Sequence, residues 1–325
     1  MIRRLALIVA ALMLLALPAA ASAATPNQPG KQPTHEEVPK ATVKIKLGQL
    51  KNGRAEIFST VPVYGTLAPY VPGQTVQVDF FLDGKPLVSK KVKVGKGGAG
   101  YGKFRSNVIV REDGRYTVSA THEANDELGG DSTVRKLWRV SFPGLKQGDC
   151  GKTVIGFKQA MREMGYIANS GPCYGGKTAR GVLAYRKVND MSRNMRSGPA
   201  LVKAVYAGEG EYKVRYPNAG KHLEAPLSKQ VLVFADGDKP TAIYPISSGK
   251  SSTPTVTGHF EFIRTEPGYN SHGMYYSFYF YGGYAVHGYE SVPDYPASHG
   301  CLRTFIADQP EIYNRINFGE DIFIW

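Results

Sequence analysis

The chain has 325 residues, of which 42% are hydrophobic and 21% are charged, and its formal net charge at pH 7 is +13. A chain of this length can form two or three domains. The positive charge favours anionic polymers as partners, although general solubility explains such a charge equally well.

The first 23 residues have the layout of a secretory signal peptide. Arg3 and Arg4 precede an apolar run over residues 5–17, and residues 21–23 (Ala-Ser-Ala) provide a small-residue cleavage site. The run is shorter than the roughly 20 apolar residues that a spanning helix needs, which favours cleavage over an uncleaved membrane anchor. We therefore expect an exported protein with no stable membrane span. For an exported chain without a nucleic-acid-binding motif, we expect no nucleic-acid partner.

The three cysteines divide into a pair and a single residue. In an oxidising compartment an even pair tends to form a disulfide, and a leftover thiol needs an explanation. Cys150 and Cys173 flank one helical segment, so we expect a disulfide between them. Cys301 is then the free thiol.

Residues 24–40 are rich in Pro, Gln, Lys and Thr, and this composition predicts a flexible linker. Residues 41–143 contain short alternating runs with turn residues between them, such as Asp83-Gly84 and Asp113-Gly114. Regular spacing of short strands predicts an antiparallel, Ig-like β-sandwich. The predicted strands cover residues 41–47, 74–80, 106–111 and 115–120. No cluster of chemistry-bearing residues occurs here, so we expect a spacer or a binding module.

Residues 144–195 have a helical pattern. Val154, Phe157, Met161 and Met164 recur at helical spacing and predict an amphipathic helix that ends near Gly165. A second helix is predicted from about residue 178. With its glycines and the Ala-Tyr-Arg-Lys segment at 184–187, this region resembles the small three-helix peptidoglycan-binding module of bacterial wall enzymes. The resemblance implies binding to the glycan-peptide mesh, and the alternative is a helical linker domain.

Residues 203–325 form a second β-rich region and a predicted domain. Strands are expected over 230–234, 242–246, 258–263 and 321–325, and an aromatic strand segment over 274–286. One helix is expected at about 308–315. Many strands with few helices predict a mixed-β sandwich or barrel-like fold, so the whole chain is expected to be multidomain and mainly β.

The most informative motif lies in this last domain. It is Ser298-His299-Gly300-Cys301-Leu302-Arg303, with His287-Gly288 upstream. A thiol needs a base to become a nucleophile at neutral pH, and a histidine one short loop away can supply it. These two blocks, with the Gly…Thr-Pro…Thr-Gly-x-Phe block at 248–260, resemble the L,D-transpeptidase catalytic domain of bacterial cell-wall biosynthesis.

The resemblance implies a role for each motif residue. Cys301 would attack the carbonyl of an L-to-D peptide bond in a donor stem peptide, and His287 would act as its base. The carbonyl of Gly288 would orient His287. The remaining residues are assigned to the oxyanion and substrate sites: Ser298, His299, Gly300 and Arg303. The reaction would need no cofactor and no metal.

The acceptor remains open at this point. An amine of a neighbouring stem gives a cross-link, whereas water gives the trimmed product of an L,D-carboxypeptidase. A wall-binding protein that has lost activity is a third possibility, against which the intact Cys301 and His287 argue. The family implies a secreted or wall-attached bacterial protein, with stem peptides and anionic wall polymers as partners. The sequence departs from the family in a compact loop at 289–297 and in Thr304, where a larger apolar residue is common.

Overall fold

A computed structural model describes residues 37–325 of the chain. The predicted signal peptide (1–23) and most of the predicted linker (24–40) lie outside the described residues. Within the described part, strands predominate and four helices are present, which confirms the mainly β fold class. No helix of this part is long and apolar enough to cross a membrane.

Two sheets enclose the first hydrophobic core. One has the strand order β1-β3-β7-β6, and the other has the order β2-β10-β8-β4-β5 with β9 paired to β8. All neighbours are antiparallel except β2 and β10. Inward residues alternate with exposed ones along β7, as expected for a strand with one buried face. The ten strands are β1 (Thr42–Leu47), β2 (Arg54–Glu56), β3 (Thr60–Ala68), β4 (Thr75–Leu82), β5 (Lys85–Lys93), β6 (Gly95–Lys96), β7 (Gly102–Ile109), β8 (Gly114–His122), β9 (Asp131–Ser132) and β10 (Lys136–Ser141).

The turn between β4 and β5 has the predicted hairpin geometry. Asp83 and Gly84 both have positive φ, at 48° and 83°. Two consecutive residues with positive φ suit a tight turn whose twist matches that of the flanking strands, and Asp-Gly adopts it at low cost.

Three helices follow the two sheets: α1 (Lys152–Glu163), α2 (Gly176–Val188) and α3 (Pro199–Tyr206). The predicted apolar face of α1 is buried through Val154, Phe157 and Met161. The disulfide between Cys150 and Cys173 is present and connects the segments before α1 and α2. The helix α3 packs against α1, although it lies beyond residue 195, where the sequence pattern of the helical module ends.

The last part of the chain forms two further sheets around another core. Their strand orders are β13-β12-β11-β19-β14 and β15-β16-β17-β18. The aromatic run at 274–286 lies in two strands, because the chain turns back at Gly282-Gly283. The elements are β11 (Lys221–Ala225), β12 (Val231–Asp236), β13 (Lys239–Pro245), β14 (Gly258–Glu261), β15 (Arg264–Tyr269), β16 (Tyr275–Tyr281), β17 (Tyr284–Tyr289), β18 (Leu302–Phe305), α4 (Gln309–Arg315) and β19 (Asp321–Ile324).

The helix α2 docks on this C-terminal part through buried polar contacts. The Arg180 guanidinium donates two hydrogen bonds to the Asp308 carboxylate, at 2.5 and 2.6 Å. The Lys187 ammonium donates to the carbonyls of Gln230 and Ile246, at 3.2 and 2.7 Å. Apolar residues of the helices and of β12 and β13 also share one core. The helices and the C-terminal sheets therefore form a continuous packed unit.

Candidate active site

Two neighbouring strands bring the predicted nucleophile and base to one cleft. Strands β17 and β18 are parallel, with His287 opposite Arg303, and Cys301 immediately precedes β18. Cys301 and His287 both line a cleft of about 350 Å³. The cleft is lined by His272, Met274, Gly283, His287, Tyr289, Ser298, His299, Cys301 and Arg303.

The His287 ring is buried and has a defined tautomer. Its Nδ1 lies 2.9 Å from the carbonyl oxygen of Gly288. Because a carbonyl only accepts hydrogen bonds, Nδ1 carries the proton, and Nε2 keeps a free lone pair. Burial is the main cause that lowers the pKa of His287, the hydrogen bond to Gly288 raises it, the charge of Arg303 lowers it, and the resulting pKa is about 4. At neutral pH the ring is therefore an uncharged base.

The Cys301 thiol is also neutral in the resting site. Its Sγ lies 3.6 Å from the carbonyl oxygen of Gly283. Burial raises the pKa of Cys301, although the backbone of Ala285 and the charge of Arg303 partly offset this. Since His287 is a neutral base and Cys301 a protonated thiol, the two residues do not form an ion pair at pH 7.

The loop before Cys301 is shaped by Ser298. The hydroxyl of Ser298 donates to the carbonyl of Cys301 at 2.6 Å and accepts the backbone N–H of Gly300 at 3.0 Å. Gly300 has φ of 117°, and a Cβ atom there would lie 2.3 Å from the ring of Tyr284. Only glycine fits this position without strain. Ser298 thus organises the loop, and the Gly300 N–H is already engaged.

A second loop, residues 247–255, supports this one. Ser247 and Arg303 exchange two backbone hydrogen bonds of 3.0 Å. The Thr255 hydroxyl donates to the carbonyl of Gly300 at 2.7 Å, and the Thr253 hydroxyl donates to the carbonyl of Ser298 at 3.0 Å. The Thr-Pro segment of the upstream block therefore holds the loop that carries the thiol.

Arg303 provides the positive charge of the cleft. Its guanidinium carbon lies 4.1 Å from the centre of the Tyr289 ring. Its buried Nε has no hydrogen-bond partner among the described residues. A guanidinium stacked on an aromatic ring is suited to binding a carboxylate through its terminal N–H groups. The sequence patterns singled out Arg303 but not Tyr289.

A buried polar group beneath His287 was also missed from the sequence. The Thr304 hydroxyl lies 3.1 Å from the carbonyl oxygen of His287 and hydrogen-bonds the side chain of Gln309. Gln309 donates in turn to the carbonyl of Tyr276 at 2.6 Å. The Cβ atom of Gln309 also lies 3.0 Å from the position that a Cβ atom at residue 288 would occupy, where the chain has Gly288. Thr304 is thus part of the support of β17, which explains a polar residue at this position.

Among residues 37–325 no group of three or more His, Cys, Asp or Glu side chains is arranged to hold a metal ion. His259, far along the sequence from the motif, instead pairs with Asp321 at 2.6 Å and stacks on Phe323. His272 lies at the edge of the cleft.

Comparison with known proteins shows what the C-terminal part of the chain is similar to. Residues 220–324 match the model of the L,D-transpeptidase catalytic domain (YkuD) family. An L,D-transpeptidase structure from Xylanimonas cellulosilytica is 28% identical, with a TM-score of 0.51, over 56% of this chain and 98% of that one. An L,D-transpeptidase from Enterococcus faecium is 22% identical, with a TM-score of 0.30, over 39% and 62% of the two chains. A comparison with curated proteins gives no significant match.

The C-terminal sheets thus match an L,D-transpeptidase catalytic domain in sequence and in fold. Residues 220–324 belong to the L,D-transpeptidase catalytic domain family, as the motif resemblance predicted. This family forms cross-links in the bacterial cell wall and acts on peptidoglycan stem peptides.

Proposed function

We propose that the protein is an exported L,D-transpeptidase that forms peptidoglycan cross-links through a thioester on Cys301, with His287 as general base. The observation that carries the proposal is that both side chains line one cleft within the matched domain. The hydrogen bond from Nδ1 of His287 to Gly288 leaves Nε2 free to accept a proton. These are the two parts that nucleophilic acyl transfer requires.

Acylation begins with two neutral groups. As Sγ of Cys301 attacks the carbonyl carbon of the L-to-D peptide bond, its proton passes to Nε2 of His287. The resulting imidazolium is oriented by the Gly288 carbonyl and gives the proton to the nitrogen of the leaving D-residue. A thioester remains on Cys301. This order fits a His287 pKa near 4, because a base of such low pKa does not deprotonate the thiol before substrate binds.

The oxyanion of the tetrahedral intermediate needs donors that are free in the resting site. The N–H of Gly300 is bonded to Ser298, so we assign this role to the N–H of Cys301 and the side chain of His299. Preorganised donors of this kind typically contribute 10²–10³ in rate. Arg303, stacked on Tyr289, is placed to bind a carboxylate of the stem peptide. In the second step an amine of another stem attacks the thioester and releases Cys301.

The parts outside the catalytic domain support a role at the wall. We assign residues 41–143 to an Ig-like β-sandwich, residues 144–195 to a peptidoglycan-binding-like module and residues 203–325 to the catalytic domain. The disulfide at Cys150 and Cys173 fits an oxidising, extracytoplasmic compartment. The formal charge of +13, which becomes +11 when Arg3 and Arg4 are removed with the signal peptide, favours contact with anionic wall polymers.

The test is a reaction of the purified protein with a disaccharide-tetrapeptide donor, analysed by mass spectrometry. We expect cross-linked dimers from the wild type and none from Cys301→Ser or His287→Gln. Shortened stems without dimers would instead identify an L,D-carboxypeptidase. The absence of both products from a folded wild-type protein would indicate an inactive wall-binding protein and refute the proposal.

A further inference from the structure

Three neighbouring strands of the first sheet place basic side chains side by side on one exposed face. Residues opposite each other in an antiparallel sheet point to the same side. In the register of β1, β3 and β7, the residues that lie opposite each other form two rows of three. The lysine and arginine residues in these rows, four in total, are all exposed. The rows, here called the basic face, are Lys44, Thr66 and Lys103, and Lys46, Tyr64 and Arg105.

The basic face contains a groove larger than the candidate active site. Its volume is about 580 Å³, against about 350 Å³ for the cleft at Cys301. Strand β5 contributes Val92 and a fifth cation, Lys93, to its lining. None of the lining residues is acidic. The five positive charges are therefore not neutralised within the groove, and they can attract a polyanion.

The two rows are suited to a linear ligand. Residues two apart on a strand are separated by about 7 Å, so cations repeat at that interval along β1 and β7. A polymer with acidic groups in each repeat can contact several of them together.

The aromatic content of the groove argues against single-stranded nucleic acid. Such ligands are held by several aromatic rings on which successive bases stack. Here Tyr64 is the exposed ring, at 44% of its surface, and the Arg105 guanidinium already lies 5.3 Å from its centre. Phe104 lies on the opposite, core-facing side of β7 and is buried. The basic face can therefore bind a ligand through charge but not through stacking of successive bases.

We propose that the basic face is a binding site for a linear phosphate-bearing polymer of the cell wall. The claim that this polymer belongs to the cell wall rests on the proposed function. The affinity of the basic face for a polyanion does not rest on it. Ammonium and guanidinium groups bind phosphate through charge-assisted hydrogen bonds. The basic face shares no residue with the cleft at Cys301, so a bound polymer leaves the catalytic residues free.

The experiment measures binding of fluorescent inorganic polyphosphate of defined length to the whole mature protein, at several salt concentrations. The test variant is Lys46→Gln with Lys103→Gln. Its control is Lys85→Gln with Lys136→Gln, which removes the same charge from exposed strand positions outside the groove. We expect the test variant to bind about tenfold more weakly and to reduce the slope of log K against log salt by about 1 to 2. The control should change affinity less than twofold.

Equal weakening in both variants would overturn the proposal, because net charge alone would then explain binding. Tighter binding to phosphatidylglycerol vesicles than to polyphosphate would also overturn it, in favour of a membrane. Thermal unfolding of each variant verifies folding. Alkylation of Cys301 and cross-linking activity are measured in parallel, so failure of the proposed catalytic function is recorded separately.

Discussion

Lowering the pH from 7 to 4.5 should destabilise the wild-type protein more than a His287→Gln variant. The His287 ring is 2% exposed, and burial lowers its pKa from 6.5 to about 4. The unfolded chain therefore binds a proton at this residue at a higher pH than the folded chain does. Because folding lowers the pKa of His287, the free energy of unfolding decreases as the pH falls from 6.5 towards 4.

The magnitude follows from the difference of about 2.5 pKa units. One unit corresponds to about 1.4 kcal/mol, so the complete loss is about 3.4 kcal/mol. At pH 4.5 most of it has occurred, about 2.5 kcal/mol, while at pH 7 almost none has. Other groups also titrate in this range, but they titrate in the variant as well and cancel in the comparison.

The assay is urea unfolding of both proteins at pH 7 and at pH 4.5. The free energy of unfolding of the wild type should fall by about 2.5 kcal/mol more than that of His287→Gln. Comparing changes with pH removes the cost of the substitution itself, which is present at both pH values. Equal falls in the two proteins would show that His287 keeps an ordinary pKa, and would refute the neutral, buried base.

Three further predictions concern the surroundings of the site. Arg180→Ala leaves the buried Asp308 carboxylate unpaired and should lower the free energy of unfolding by about 3–5 kcal/mol. Its control, Lys177→Ala, removes a partly exposed ion pair and should lower it by less than about 1 kcal/mol. Gln309→Leu removes the support beneath β17 and should lower kcat about tenfold with little change in KM. Burial lowers the pKa of Lys187 to about 7, so the free energy of unfolding of the wild type relative to that of Lys187→Met should fall as the pH decreases from 10 to 7.

A different result would contradict each of these three predictions. Similar losses for the substitutions at Arg180 and Lys177 would mean that the ion pair to α4 is not buried in solution. A change in KM alone for Gln309→Leu would assign that residue to substrate binding rather than positioning. The same change in stability between pH 7 and 10 in the wild type and in Lys187→Met would show that the Lys187 ammonium keeps its ordinary pKa.

The features predicted well from sequence are those with local or countable signals. The alternating runs at 41–47 and 115–120 became strands because one face of each packs on the core. Cysteine parity predicted one disulfide, and the position of Cys150 and Cys173 on either side of one helical segment predicted which two residues form it. The spacing of Val154, Phe157 and Met161 predicted the buried face of α1. The catalytic-domain family followed from a motif specific to it.

The features missed depend on contacts distant in sequence. Lys158 and Lys187 are buried and bind backbone carbonyls, whereas a helical pattern places lysines on the exposed side. The support of His287 by Thr304 and Gln309 requires β17 and β18 to be neighbours, which no local pattern specifies. The engagement of the Gly300 N–H by Ser298 also depends on the folded loop.

The central claim is a covalent thioester on Cys301, and intact-protein mass spectrometry tests it most directly. The protein is mixed with a tetrapeptide-stem donor without acceptor, quenched in acid and digested to locate the adduct. We predict an increase in mass equal to the donor minus the released D-amino acid, on Cys301, and none in Cys301→Ser. Cross-link formation by Cys301→Ser, or an acyl group on another residue, would contradict it.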